Sequence, residues 1–328
     1  MATPALLQQP PPHAPPPPRQ PKKQSLWLHA FLFIITWFST TAVGMRYMFN
    51  FHRGMFPLAT DADIFPYDWV YSNVRHLAEG LPFSATLLGI LLIHEFGHYF
   101  ACRAYGVSAT LPYLLPAPSL SGTAGAVIRL HSRVKTRAAL LAIGAFGPIS
   151  GFVAALIMAC VGIRFSQAVL AEPTKLVDFS PPLIIRLLEH VLHPGGLSYQ
   201  PAHVLWHPVF IASWIAILIT SLNLVPAGQL DGGHILYAVS PRLHRIVTYI
   251  AMGVLVVLGI TSWFGWLLWT GLLLLPGMRH PKVQDTVTPR FPLMVVTPIC
   301  LVLLILCGSS QPFSNASLIH LASRLFQH

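Results

Sequence analysis

The sequence predicts an all-α polytopic membrane protein with about six to seven transmembrane helices and a re-entrant or strand-like element after the second span. Two observations predict this fold class. Hydrophobic residues make up 54% of the 328 residues and charged residues only 9%, whereas soluble domains carry roughly a quarter charged residues. Apolar runs long enough to cross a bilayer recur along most of the chain. An ordinary water-soluble domain is therefore excluded, and lipid is the expected solvent.

The N-terminal segment, residues 1–25, has a different composition from the rest of the chain. It contains nine prolines and no apolar periodicity. A segment of this kind stays extended and solvated, because it has too little apolar surface to build a core. We therefore expect a disordered, Pro-rich cytoplasmic tail.

Seven apolar runs follow the tail. The first, residues 26–44, is interpreted as an uncleaved membrane anchor, because its apolar character continues past Ala42. The alternative is a cleaved signal peptide, since residues 26–38 followed by the letters STTA resemble an h-region and its cleavage site. The other runs lie at residues 81–102, 138–163, 203–225, 246–260, 263–276 and 291–307. The two runs between 246 and 276 are expected to form a tight helical hairpin.

The basic residues test these spans independently, because cytoplasmic segments are enriched in Lys and Arg. If the N-terminus is cytoplasmic and seven segments cross, thirteen of the twenty basic residues fall on the cytoplasmic side, with Asp285 as the only acid. The net charge of +10 could also indicate nucleic-acid binding. The basic residues are spread between apolar runs, however, and form no single basic face, so nucleic acid is not an expected partner.

Glu95 lies within an apolar run, where an ionisable side chain is costly and usually functional. It is flanked by His94 and His98 in the letters HEFGH. A helix places residues i and i+4 on one face, so both imidazoles can bind a single zinc ion. Glu95 would then be free to act on the attacking water. The alternative is a pair of packed histidines beside a stray acid.

A catalytic zinc site needs three protein ligands and one open position, so a third ligand is expected at a similar depth. Asp231 is the acidic candidate. It lies in the letters NLVPAGQLDGG, residues 223–233, where Pro226 ends the preceding helix and two glycines let the backbone bend. Considered alone, Asp231 would be a helix cap or a turn residue.

These two motifs together resemble the site-2 protease family of intramembrane zinc metalloproteases. The letters GAFGPISG, residues 144–151, are also similar to the family's glycine-rich element, with Gly147 before Pro148. The resemblance covers residues 81–235, which are accordingly expected to form a catalytic membrane core.

The resemblance implies a role for each motif residue. One Zn2+ ion would be bound by His94, His98 and Asp231, and Glu95 would be the catalytic acid/base. Asn223 would hold substrate or polarise its carbonyl group. The remaining candidate substrate-binding residues are Pro226, Gly122 and Gly125.

The chain departs from the better-known branches of this family. Only about forty residues separate the third and fourth spans, which is too few for an inserted PDZ domain. The letters GTAGA at residues 122–126 are similar to those of compact plastid and bacterial members. We therefore expect a compact branch without a PDZ domain. Its other parts would be an anchor and outer loop at 26–80, accessory transmembrane helices at 236–307 and a C-terminal tail at 308–328.

The expected function is an intramembrane zinc metalloprotease that hydrolyses peptide bonds in or near transmembrane segments of membrane proteins. A substrate helix hides its carbonyl groups in its own hydrogen bonds, so the cleaved segment must be unwound. The irregular stretch at residues 111–130 is expected to pair with this segment by strand addition. Two alternatives remain: a metal-binding membrane transporter or sensor using the same histidines, and a catalytically silent homologue that binds membrane helices.

The charge asymmetry predicts a multi-pass protein of a bacterial cytoplasmic membrane, with its N-terminus in the cytoplasm. The lack of a recognisable organelle-targeting peptide favours the same location. Two further histidine patterns are interpreted conservatively. His203 and His207 have i, i+4 spacing but no carboxylate between them, so a second metal site is not expected. His234, just after the DGG letters, is expected near the zinc without binding it.

Overall fold

The computed structural model describes residues 25–60, 63–118, 120–169, 179–192, 204–274, 280–285, 287–314 and 317. The Pro-rich tail at residues 1–24 and the end of the chain after residue 317 lie outside these ranges. The expectations of a disordered N-terminal tail and of a C-terminal tail at 308–328 therefore stay predictions.

Helices dominate the described part of the chain, and its strands are short. The helices are α1 (Leu26–His52), α2 (Tyr67–Ser72), α3 (Leu81–Ala104), α4 (Arg137–Phe165), α5 (Leu183–Leu192), α6 (Pro208–Asn223), α7 (Asp231–Val239), α8 (Pro241–Thr261), α9 (Gly265–Leu274), α10 (Phe291–Met294) and α11 (Val296–Cys307). The strands are β1 (Tyr113–Pro116), β2 (Thr123–Val127), β3 (Gln167–Ala168) and β4 (Val204–Leu205). A 3-10 helix, Val74–Gly80, leads directly into α3.

Among the described residues, four helical segments are long and apolar enough to cross a membrane: α1, residues 74–104, α4 and α8. α6 and α11 are apolar but have only 16 and 12 residues. Because a helix rises 1.5 Å per residue, about 20 residues are needed to cross roughly 30 Å of hydrocarbon. The prediction of a helical membrane protein is confirmed, and crossings beyond these four stay a prediction.

The hairpin expected at residues 246–276 is present, but its first helix is longer than hydropathy indicates. α8 begins at Pro241, has 21 residues and packs against α9. The Ser240 side chain accepts a hydrogen bond from the Leu243 N–H and so caps the helix. Proline is favourable in a first turn, where its missing N–H has no helical partner. A prediction from hydropathy leaves out residues 241–245, because these residues are mostly polar and hydropathy does not register helix capping.

α4 is the central helix of the bundle, since α3, α6 and α7 all pack against it. Its glycines permit close contact. A Cβ atom at Gly162 would clash with the backbone of Phe210 on α6, and one at Gly144 would lie 2.9 Å from the Asp231 carbonyl oxygen at the start of α7. Residues that are far apart in sequence therefore meet at the surface of α4.

The strand-like element expected after the second span is a β-hairpin. β1 pairs antiparallel with β2, with Tyr113 opposite Val127 and Leu115 opposite Gly125. Helix α1 supports the hairpin through polar contacts. Ser39 Oγ donates to the Gly122 carbonyl at 2.6 Å, and the Tyr47 hydroxyl donates to the Leu120 carbonyl at 2.7 Å. The expectation of a strand in this stretch is confirmed.

A buried ion pair ties the C-terminal part of α1 to the loop that follows it. The fully buried Asp63 carboxylate accepts hydrogen bonds from Arg46, from Asn50 Nδ2 at 3.0 Å and from the Thr60 backbone N–H at 2.6 Å. Burial acts to raise the pKa of Asp63. The hydrogen bonds from Asn50, Arg46 and Thr60 outweigh burial and hold the pKa below its ordinary value.

We expect Asp63→Asn to lower the free energy of unfolding by about 3 kcal/mol at pH 7, because it leaves Arg46 buried without its counter-charge. The folded-state pKa of Asp63 is depressed, so its contribution is complete above the unfolded pKa of about 4 and is lost as the pH falls through the folded value. The difference between the wild-type and variant proteins in thermal unfolding should shrink below about pH 4. Asp68→Asn, at an exposed position of α2, is the matched control. A difference that persists unchanged at low pH would contradict this assignment.

Candidate metal centre

His94 and His98 lie on one face of α3 and are both buried, with ring centroids 4.9 Å apart. The rings fit there because the facing positions of α4 have no side chains. A Cβ atom at Gly147 would overlap the ring of His98, and one at Gly151 would lie 2.8 Å from His94 Nδ1. The glycine-rich element thus creates the space that the two imidazoles occupy.

Asp231 reaches the same point from the start of α7. After α6 the chain turns back through residues 224–230 and packs closely against the start of α7. This close packing is possible because the two residues after Asp231 are glycines. A Cβ atom at Gly232 would clash with the Leu224 carbonyl oxygen, and one at Gly233 would lie 2.6 Å from that of Ala227. Asp231 Oδ2 consequently lies 3.4 Å from His94 Nε2 and 3.3 Å from His98 Nε2.

The arrangement of these three side chains fits a zinc ion. His98 Nδ1 lies 2.6 Å from the Ile143 carbonyl oxygen. A carbonyl oxygen can only accept a hydrogen bond, so Nδ1 carries the proton of the neutral ring. The other ring nitrogen, Nε2, then has a free lone pair that can bind a metal ion. His94 Nε2 is buried and makes no hydrogen bond. The three ligand atoms lie within 4.8 Å of one another. Two ligands bound at 2.0–2.1 Å to a tetrahedral ion are about 3.3 Å apart, which matches the two contacts made by Asp231.

Glu95 lies beside this cluster, opposite the end of the hairpin. It is buried, and Ile128, just after β2, lines the same cavity as Glu95. A cavity of about 240 Å³ opens here. Its lining includes Glu95, His98, Asp231, Asn223 and the residues that follow Gly125, namely Ala126, Val127 and Ile128. The predicted catalytic residue, two of the three predicted metal ligands and Asn223 therefore line one cavity, and the third predicted ligand, His94, lies behind them against Asp231.

The other three candidate substrate-binding residues are not in the lining of this cavity. Pro226 lies in the turn after α6. Gly122 has φ +75° and faces α1, where an added Cβ would lie 2.6 Å from the Ser39 carbonyl oxygen. Gly125 has φ +105° within β2 and open space beside it. Both glycines are required by backbone conformation, because left-handed φ values are strained for other residues.

His234 does not join the three-residue cluster and instead contacts a residue that sequence reasoning missed. Its Nδ1 lies 2.8 Å from His280 Nε2, and His280 Nδ1 lies 2.7 Å from the Pro281 carbonyl oxygen. Burial lowers the pKa of each histidine to about 4, so both rings are neutral at pH 7. His280 must then donate to Pro281 and accept from His234, which leaves His234 Nε2 as a hydrogen-bond acceptor at the cavity wall. No motif or spacing in the sequence connects His280 with His234.

Only one member of the second histidine pair lies among the described residues. His207 caps α6, where its Nδ1 accepts a hydrogen bond from the Val209 N–H at 3.2 Å. His203 lies outside the described residues.

We expect Gly147→Ala to weaken zinc binding by about 100-fold or more, because the added methyl group displaces the His98 ring from its position opposite Asp231. Metal content after dialysis, measured by mass spectrometry, checks this. Gly89→Ala on α3 is the matched control, since open space surrounds that position. Full zinc occupancy in Gly147→Ala would show that His98 is not positioned by this helix contact.

Comparison with known proteins agrees with the geometry. The profile of peptidase family M50 matches residues 82–262, which is more than half of the chain. The probable zinc metalloprotease EGY2, chloroplastic, of Arabidopsis thaliana is 26% identical over 233 residues, which cover 70% of this chain and 40% of the plant protein. The EGY2 protein of Oryza sativa subsp. indica is 27% identical over the same length, covering 70% and 41%.

A third relative, the probable zinc metalloprotease EGY1, chloroplastic, of Arabidopsis thaliana, is 33% identical over 160 residues. That match covers 47% of this chain and 28% of the plant protein. The chain thus spans less than half the length of these curated relatives. The matched region contains HEFGH, the glycine-rich element and the DGG turn, and the chain belongs to peptidase family M50.

Proposed function

We propose that this protein is an intramembrane zinc metalloprotease that hydrolyses peptide bonds in or near transmembrane segments of membrane proteins. One observation carries the proposal: His94, His98 and Asp231 converge at metal-ligand distances beside the buried Glu95. Membership of a peptidase family and similarity to proteins named as probable zinc metalloproteases support it.

Each residue of the site has a separate role in the proposed hydrolysis. Zinc, when bound by His94, His98 and Asp231, supplies Lewis-acid polarisation of the scissile carbonyl group. Glu95 takes a proton from the attacking water and later delivers it to the nitrogen of the leaving amine. Asn223, in the cavity wall, can donate its amide N–H to the substrate carbonyl oxygen.

Substrate must enter as an extended segment, because helical carbonyl groups are already hydrogen-bonded. β2 can receive such a segment. β1 and β2 form a two-stranded sheet, so among the described residues no strand pairs with the outer edge of β2. This strand ends beside Glu95, and a peptide added to it would pass the candidate metal site. Gly122, Gly125 and Pro226 would then serve substrate binding by shaping the hairpin and the turn, without lining the cavity themselves.

The protein's membrane arrangement is part of the same proposal. α6, α9 and α11 would complete a bundle of six to seven crossings, with the N-terminus and the Arg-rich segment before α4 on the cytoplasmic side. Residues 26–80 would be an anchor and outer loop, 81–235 a catalytic core without a PDZ domain, and 236–307 accessory helices. α1 continues through the letters STTA and packs on α3, which favours an anchor over a cleaved signal peptide. The matched relatives are chloroplastic plant proteins, so a bacterial membrane stays a prediction.

We expect Glu95→Gln to lower the cleavage rate by about 100- to 10,000-fold, because the amide can neither accept nor deliver the transferred proton. Zinc content should stay at one ion per chain, because the three ligands are intact. The measurement is cleavage of a panel of single-span proteins in detergent micelles, with Glu79→Gln, at a partly exposed position outside the metal-site cavity, as the matched control. Equal processing by wild type and Glu95→Gln would exclude a protease acting through this residue. Transmembrane zinc flux without cleavage would favour the transporter alternative.

We expect Gly125→Pro to abolish cleavage while zinc stays bound. Proline fixes φ near −65°, which is incompatible with the φ of +105° at Gly125 and would misdirect β2 next to Glu95. Gly54→Pro, at another left-handed glycine with open space around it at the end of α1, is the control. Unchanged turnover in Gly125→Pro would eliminate strand addition to β2 as the mode of substrate binding.

A further inference from the structure

A second, larger cavity adjoins the metal-site cavity. It has a volume of about 1070 Å³. The two cavities share the lining residues Val127, Ile128, Leu130, Gln229 and His234, so they form one continuous groove. The groove begins at Glu95 and follows the chain that continues from β2 toward the start of α4.

Apolar side chains line this groove beside the hairpin, and basic side chains lie farther along it. Leu32, Tyr113, Leu115 and Val127 line it near the hairpin. The charged residues in its lining are Arg129, Arg133 and Lys282, all of them exposed. We refer to these three as the basic mouth.

The basic mouth has no acidic counterpart in the described part of the chain. None of its three residues forms an ion pair with a described carboxylate, and the groove's outer lining contains no Asp or Glu. Asp285 is near in sequence, but its side chain accepts a hydrogen bond from the Val287 N–H and does not line the groove. The positive charge is therefore available to a bound molecule.

We propose that the basic mouth selects substrates with acidic residues next to the scissile segment, on the side of the membrane where Arg129, Arg133 and Lys282 lie. This inference rests on the proposed function and specifies its substrate class. The occupant is an extended polypeptide, because the groove continues the unpaired edge of β2 and is lined mainly by apolar side chains beside the hairpin.

The spacing of the charges sets where the acidic residues fall. Ile128 lines the metal-site cavity together with Glu95, and Arg129 and Arg133 lie one and five residues farther along the chain. Because an extended chain advances about 3.3 Å per residue, the acidic side chains are expected within about six residues of the scissile bond.

This selection would reject the majority of membrane proteins. Cytoplasmic flanks of transmembrane segments are enriched in Lys and Arg, and such flanks would meet three like charges. Discrimination by repulsion is an effective way to exclude wrong partners. Membrane proteins with an acidic flank on this side are less common, so the protease would cleave only a restricted set of substrates.

The test uses one single-span substrate in three versions, with three Asp, three Asn or three Lys residues in the six positions that follow the scissile segment. Purified full-length protein in detergent micelles cleaves each version, so the flank charge cannot alter membrane orientation. We expect the Asp version to be cleaved about five- to tenfold faster than the Lys version, with Asn between them. The difference should diminish at 0.5 M salt, because the three charges are exposed.

Charge reversal provides the matched comparison. Arg129→Glu combined with Arg133→Glu should invert the preference, whereas Arg242→Glu, exposed and outside both cavities, should leave it unchanged. Zinc content of each variant verifies that the metal site is intact.

A second measurement separates this inference from the proposed function. Binding of fluorescent Asp- and Lys-flanked peptides to the Glu95→Gln protein is followed by anisotropy. Tighter binding of the Asp peptide, lost on charge reversal, supports the basic mouth even if no substrate is cleaved. Equal affinities, or equal cleavage rates for the three flanks, would overturn the inference and leave the protease proposal standing.

Discussion

The close packing of α3 against α4 is the contact on which the rest of the site depends. Gly147 and Gly151 leave the space in which the rings of His98 and His94 lie. α7 also packs on α4, and this brings Asp231 to within 3.4 Å of both imidazoles. A larger side chain at either glycine would separate groups that come from sequence positions more than a hundred residues apart. The proposed metal site thus depends on close packing between two helices.

Polar side chains in the buried part of a membrane protein are stable only when each is paired or bound. Three groups meet this requirement by different means. The Asp63 carboxylate accepts hydrogen bonds from Arg46 and from three further donor groups of Asn50 and Thr60, and so joins α1 to the loop that follows it. His234 and His280 satisfy each other through one defined tautomer pair. His94 Nε2 makes no hydrogen bond, and the proposed cation, shared with His98 and Asp231, would give it a partner.

Local sequence signals identified the parts of the site that follow from helical spacing or backbone conformation. The i, i+4 histidines, the buried Glu95 and the glycines of the DGG turn were predictable, because each is encoded within a few residues. The helical membrane fold and the strand after the second span were predictable from apolar runs and from proline and glycine. Contacts between distant parts of the chain were not predictable, for example the position of Ile128 in the cavity beside Glu95 and the hydrogen bond between His234 and His280. They depend on how α1, α7 and the hairpin pack, and no local pattern encodes that packing. The start of α8 at Pro241 was missed for another reason, since capping by Ser240 makes a polar turn helical.

X-ray absorption spectroscopy of the purified protein measures which atoms bind the metal, and so tests whether His94, His98 and Asp231 together bind zinc. We expect one zinc ion per chain, with two imidazole nitrogens and a carboxylate oxygen at about 2.0–2.1 Å. We also expect the carboxylate contribution to disappear in Asp231→Ala and one imidazole contribution to disappear in His98→Ala. Zinc ligated by sulfur, or a protein that binds no zinc while His94, His98 and Asp231 are intact, would contradict this assignment.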